Sequence, residues 1–87
     1  MPNKQYTVVV TEKIRKFILK LPSAIAVKIE NSLLELEEDP RPAGCKKLKG
    51  RKAYSIRVGD YRIMYKIENN ILKIIEIDLD HRKDIYR

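Results

Sequence analysis

Tyr54-Ser55-Ile56-Arg57-Val58-Gly59-Asp60-Tyr61-Arg62-Ile63-Met64-Tyr65-Lys66-Ile67 is two alternating runs joined by a glycine-aspartate pair. Tyr54, Ile56 and Val58 alternate with Ser55 and Arg57, and Tyr61, Ile63, Tyr65 and Ile67 alternate with Arg62, Met64 and Lys66. A period of two is that of a strand with one buried face, and Gly59-Asp60 suits a two-residue hairpin turn. If the tyrosines and isoleucines face the core, Arg57, Arg62 and Lys66 project together onto the opposite face.

Upstream of this hairpin the pattern differs. Tyr6 to Val10 is short and β-branched, which predicts a first strand. Thr11 is placed to cap a helix carrying Ile14, Phe17, Ile18 and Leu21 on one face. Pro22 interrupts, and Ser23 is placed to cap a second helix with the stripe Ile25, Ile29, Leu33 and Leu36, ending before Asp39-Pro40. Downstream, Asn69-Asn70 marks another turn, and Ile71 to Leu79 reads as a long last strand. The expected fold is α+β, in the order β-α-α-β-β-β, with an extra short strand possible near Lys47-Leu48. An antiparallel sheet carries an N-terminal helical hairpin on one face. The 87 residues make one domain, 1–87, with one modest core.

Charge is uneven along the chain. Residues 1–39 carry six basic and six acidic side chains, so the net charge of +7 belongs to residues 40–87. From Arg41 to Arg57 there are seven basic residues and no acid. Such a gradient on a small protein points to a polyanionic partner, most simply nucleic acid. No apolar run approaches the roughly 20 residues that span a bilayer, and no signal-peptide pattern opens the chain, so a cytoplasmic protein without membrane partners is expected. Cys45 and His81 are the only cysteine and histidine. An internal disulfide is excluded, and neither a zinc site nor any other metal or cofactor is expected.

The stretch Leu48-Lys49-Gly50, the hairpin from Tyr54 to Tyr65 and the terminal His81-Arg82-Lys83-Asp84-Ile85-Tyr86-Arg87 together resemble the RelE/ParE superfamily of bacterial and archaeal toxins. The resemblance spans nearly the whole chain. It implies the toxin of a type II toxin-antitoxin module. In the RelE branch it implies a metal-independent endoribonuclease that cleaves messenger RNA in the A site of the ribosome. RelE-like enzymes place basic residues on the middle strands, an arginine after the hairpin tyrosine, and an arginine and a tyrosine near the C-terminus. Arg57, Arg62, Arg82 and Tyr86 stand at those places. The chain departs at Ser55, where the best-known members carry lysine, in a shorter segment between Arg82 and Tyr86, and in ending at Arg87 with no C-terminal helix.

Cleaving RNA without a metal means driving the 2′-OH onto its own 3′-phosphate, a nucleophile only RNA provides. Arginine suits the charge that develops on phosphate, because its planar fork grips two oxygens and stays charged. Arg62 and Arg82 are therefore the expected phosphate clamp. His81 is the economical acid or base, as the one group with an ordinary pKa near neutrality. Tyr86 is placed to stack on a base, orient the 2′-OH or relay a proton. Arg57 is assigned to substrate binding, and Lys46, Lys47, Lys49, Arg51 and Lys52 to contacts along the RNA backbone. The arginines also fit a plain surface ladder of ion pairs with Glu76 and Asp78, each worth about 0.2–1 kcal/mol. A cognate acidic antitoxin is the implied partner, with operator DNA bound only through it. Two other activities stay open, a ParE-like DNA gyrase poison and a non-catalytic member that binds antitoxin or RNA.

Overall fold

In the computed structural model, which describes residues 6–48, 50 and 52–79, the change of period near Pro40 divides the helices from the four later strands. Thr7–Val9 forms β1, followed by helices α1 (Glu12–Leu19) and α2 (Ser23–Glu38). The strands β2 (Lys46–Lys47), β3 (Ala53–Val58), β4 (Tyr61–Glu68) and β5 (Ile71–Leu79) follow. They make a five-stranded sheet in the order β1-β5-β4-β3-β2 among the described residues.

Local chemistry explains the ends of these elements. The Thr11 hydroxyl accepts a hydrogen bond from the Ile14 amide at 3.2 Å, capping α1 as expected. Ser23 does not cap α2; it is the first helical residue, and Pro22 occupies the cap position with no side-chain hydrogen bond. The fixed φ of Pro22 sets the entry to the helix instead. Gly59 has φ of +60° in the turn between β3 and β4, where Val58 pairs with Tyr61. Asn69, with φ of +55°, opens the turn between β4 and β5. Asparagine is among the few residues that accept that conformation at small cost.

The α+β class and the helical hairpin on one face are as expected from the sequence. The antiparallel description holds for β2 through β5, whereas β1 pairs in parallel with β5, Val8 opposite Leu72, so the sheet is mixed. Hairpin turns impose antiparallel pairing on neighbours in sequence. β1 reaches β5 across the whole domain and is free of that constraint. It is tied to α2 as well, because the Val8 amide donates to Glu37 Oε2 at 3.0 Å.

The core lies between the helices and one sheet face. Ile14 and Ile18 from α1 and Ile29, Leu33 and Leu36 from α2 pack on Val58, Ile63, Tyr65, Leu72, Ile74 and Ile77. Phe17 sits at the rim and meets Tyr61 edge-on, with ring centroids 6.2 Å apart. Tyr65 is fully buried, and its hydroxyl donates to the Pro40 carbonyl at 2.7 Å. Burial pushes the Tyr65 phenol well above its ordinary pKa, so that proton stays on and holds the loop after α2. Arg41 adds a second tether, its guanidinium 5.2 Å from the Tyr54 ring centroid and its Nε donating to Tyr54 Oη at 3.2 Å.

Candidate nucleic-acid interface

The side of the sheet away from the helices is where the charged residues of the hairpin meet. Arg57 on β3 lies directly opposite Arg62 on β4, and Arg62 lies directly opposite Asp78 on β5. A second row runs from Lys46 on β2 through Ser55 and Met64 to Glu76. Lys46 thus shares the outer face, whereas Lys47 pairs with Tyr54 and alternates to the other side.

The pairing of Arg62 with Asp78 depends on an irregularity in β5. Tyr65 pairs with Ile74 and Met64 with Glu76, so Ile75 is an extra residue. Strict alternation from Leu72 and Ile74 would turn Glu76 and Asp78 inward. The bulge at Ile75 returns Ile77 to the core and directs both carboxylates outward, the re-aiming such bulges produce. Two consecutive isoleucines followed by Glu76-Ile77-Asp78 are the trace of this shift in the sequence.

Arg62 Nη2 lies 3.4 Å from Asp78 Oδ2, with side-chain exposures of 40% and 32%. Arg62 Nε and Asp78 Oδ1 are buried and have no hydrogen-bond partner among the described residues, so the contact is single rather than a bidentate fork. Such a long, half-exposed pair contributes little to stability and exchanges readily for a stronger anion. Glu76 titrates above the ordinary glutamate range. Its hydrogen bond with the Asp78 side chain is the main cause, with desolvation and the Asp78 charge adding, while Arg62 and Lys13 act against it. Glu76 therefore adds stability when protonated, fully below the ordinary glutamate pKa, and this contribution is lost as pH rises through the raised value. Replacing Asp78 with asparagine removes the neighbouring charge. The Glu76 pKa is then expected to fall back toward the ordinary range, read by carboxyl chemical shifts in an NMR titration.

A groove of about 680 Å³ begins beside Arg62 and Arg57 and passes β2 toward α2. Lys46 and Lys47 stand along it, and Ser55, only 6% exposed, forms part of its floor. Ser32 and Glu35 of α2 also line it, a contribution no spacing along the chain announces. The structure thus brings together Arg57, Arg62, Lys46 and Lys47. Lys52 is placed elsewhere, at a separate hollow. His81, Arg82 and Tyr86, and likewise Lys49 and Arg51, lie outside the described residues. Among the described residues no cluster of three histidine, cysteine or acidic side chains is arranged to hold a metal ion, and no helix is long and apolar enough to cross a membrane.

Residues 8–86 match the family described as the ParE toxin of the type II toxin-antitoxin system parDE. The chain belongs to that family. It is 36% identical over 85 residues to the toxin RelG of Mycobacterium tuberculosis, covering 94% of this chain and 97% of RelG. The toxin also superimposes on RelE in the archaeal RelE-RelB complex of Pyrococcus horikoshii, with a TM-score of 0.81 and 27% identity, over 90% of this chain and 98% of that one. Isolated Escherichia coli RelE is similar, with a TM-score of 0.76 and 26% identity, over 93% and 90% of the two chains. These likenesses make the protein a type II toxin of RelE type. The family and the fold follow from them, and the chemistry rests on the toxin's own residues.

Proposed function

We propose that this toxin is a metal-independent endoribonuclease that cleaves messenger RNA on the ribosome and so inhibits translation. The observation that carries the reading is the meeting of Arg57, Arg62 and Lys46 on the outer face of the sheet at one groove, which turns past β2 to reach Lys47 on the other side. Arg62 takes the scissile phosphate, which displaces the weakly held Asp78 and meets a fork suited to two of its oxygens. Arg57, directly across the strands, binds the adjoining backbone. Arg82 completes the clamp, and His81 and Tyr86 serve the proton transfers of 2′-OH attack and 5′-oxygen departure. Ser55 lacks a titratable amine, so the base comes from another residue. The resemblance to RelE in complex with RelB supports a cognate antitoxin as partner, an acidic chain that covers the basic groove. Ribosome-bound substrate places the toxin in the cytoplasm, as a single domain.

Primer-extension mapping of messenger RNA in a translating extract tests the reading. Wild-type toxin is expected to give cuts at codon spacing that vanish in Arg62→Ala. Intact message at toxin levels that stop translation would overturn it.

The match to a family described by its ParE toxin, together with Ser55 in place of lysine, supports a second reading as a gyrase poison. Inhibition of gyrase supercoiling by purified toxin, with message left intact, is the result expected from that alternative.

A further inference from the structure

The outer face carries a second concentration of charge, at the end away from Arg57 and Arg62. Ala53, Lys66 and Lys73 form one row across β3, β4 and β5. Lys52 adjoins Ala53, and the three lysines line a hollow of about 430 Å³ together with Thr11, buried Ala53, Ile74 and Ile75. No carboxylate lines the hollow among the described residues. Among the described residues, Lys66 Nζ lies 3.4 Å from Oε1 of Glu68, a side chain that is 67% exposed.

Lys66 and Lys73 are direct cross-strand neighbours. Like charges at such a position destabilise a sheet, so the arrangement works against the fold. A small residue at the third place of the row keeps the hollow open. Compact ammonium groups around a concave space suit a tetrahedral phosphate, held as a point charge and without choice of base. The hollow and the arginine row share one sheet face. Lys66 is four residues from Arg62 along β4, about 14 Å at the rise of an antiparallel strand.

We propose that Lys52, Lys66 and Lys73 form a second phosphate-binding subsite, which holds the backbone of the same single-stranded RNA whose scissile phosphate lies at Arg62. The subsite rests on the reading of the toxin as an RNA-cleaving protein and adds a second anchor to it. Two anchors on one face fix the direction of the strand and the position of the cut, which a single clamp leaves free to swivel.

The test is fluorescence anisotropy of a labelled single-stranded RNA with 2′-O-methyl groups, which cannot be cleaved, over a range of salt. Wild type is compared with Lys66→Gln/Lys73→Gln, with Arg62→Ala and with Lys28→Gln as an exposed control on α2. Each phosphate contact adds about 0.7 to the slope of log affinity against log salt, so the double variant is expected to flatten that slope by about 1.4. Lys73→Glu is expected to raise Tm, by converting a repulsive cross-strand pair into an attractive one, while weakening RNA binding. A misfolded variant cannot produce that combination.

If wild type binds no RNA, the subsite is overturned, and if message also stays intact in the translating extract, the RNA reading fails with it. If Arg62→Ala weakens binding while the lysine variants keep the wild-type slope, the subsite alone is overturned. It is also overturned if the lysine variants bind RNA normally and lose affinity for an acidic antitoxin, since the hollow is then a protein-binding surface.

Discussion

Arg62→Ala is expected to lower the rate of RNA cleavage by about 10²–10³-fold, the size of effect seen when one preorganised donor to a developing oxyanion is removed. Two features of the site lead to this expectation. Arg62 has the central place in the row Arg57-Arg62-Asp78, with neighbours on both sides that hold its strand in register. Its ion pair with Asp78 is long and half-exposed, so exchanging Asp78 for phosphate releases a weak contact and makes a stronger, charge-assisted one. The same weakness predicts a small effect on folding, within about 1 kcal/mol, as for other exposed pairs. Arg62→Lys keeps the charge and loses the fork, so it should recover binding better than rate. Single-turnover cleavage of a defined message, alongside urea denaturation of each variant, measures both quantities. Cleavage by Arg62→Ala at the wild-type rate would remove the clamp from the mechanism.

Ile63→Ala is expected to have the opposite profile, with a large loss of stability, about 2–5 kcal/mol, from truncating one buried side chain. Ile63 is completely buried, between Ile56 on β3 and Ile77 on β5, on the core face of the same strand that presents Arg62. Total stabilities of small domains are about 5–15 kcal/mol, so the loss is a large share of the whole. Urea denaturation is expected to show the midpoint falling by roughly 1 M or more with little change in m-value. Cleavage measured well below the transition should stay within a few-fold of wild type, because Ile63 meets no substrate. A midpoint equal to that of wild type would mean that the sheet does not depend on this contact.

The two variants separate the faces of one strand, and that separation was legible in the sequence. Alternation from Tyr61 to Ile67 assigns Ile63 and Tyr65 to the core and Arg62 to the opposite face without knowledge of any partner. The turns at Gly59-Asp60 and Asn69-Asn70 fall where their residue types allow positive φ. The helical stripes are equally plain, and Ile14, Ile18, Ile29, Leu33 and Leu36 are buried as their spacing predicts. Less could be read at the site. Lys52 belongs with the basic run by position, yet it stands at the far hollow, because β3 carries its two ends to opposite edges of the face. Ser32 and Glu35 reach the groove from a helix whose pattern shows only which side is buried.

The order of helices and strands, the face each side chain takes in β3 and β4 and the placement of positive charge follow from the amino-acid pattern alone, because period and turn chemistry act within a few residues. The parallel seat of β1 on β5, the juxtaposition of Arg62 with Asp78 and the opposition of Lys66 to Lys73 are decided only by tertiary structure. Alternation names a face and carries no information about which strand lies alongside or in what register. Register comes from burying Ile74 and Ile77 together, and the bulge at Ile75 that reconciles them also sets Asp78 beside Arg62.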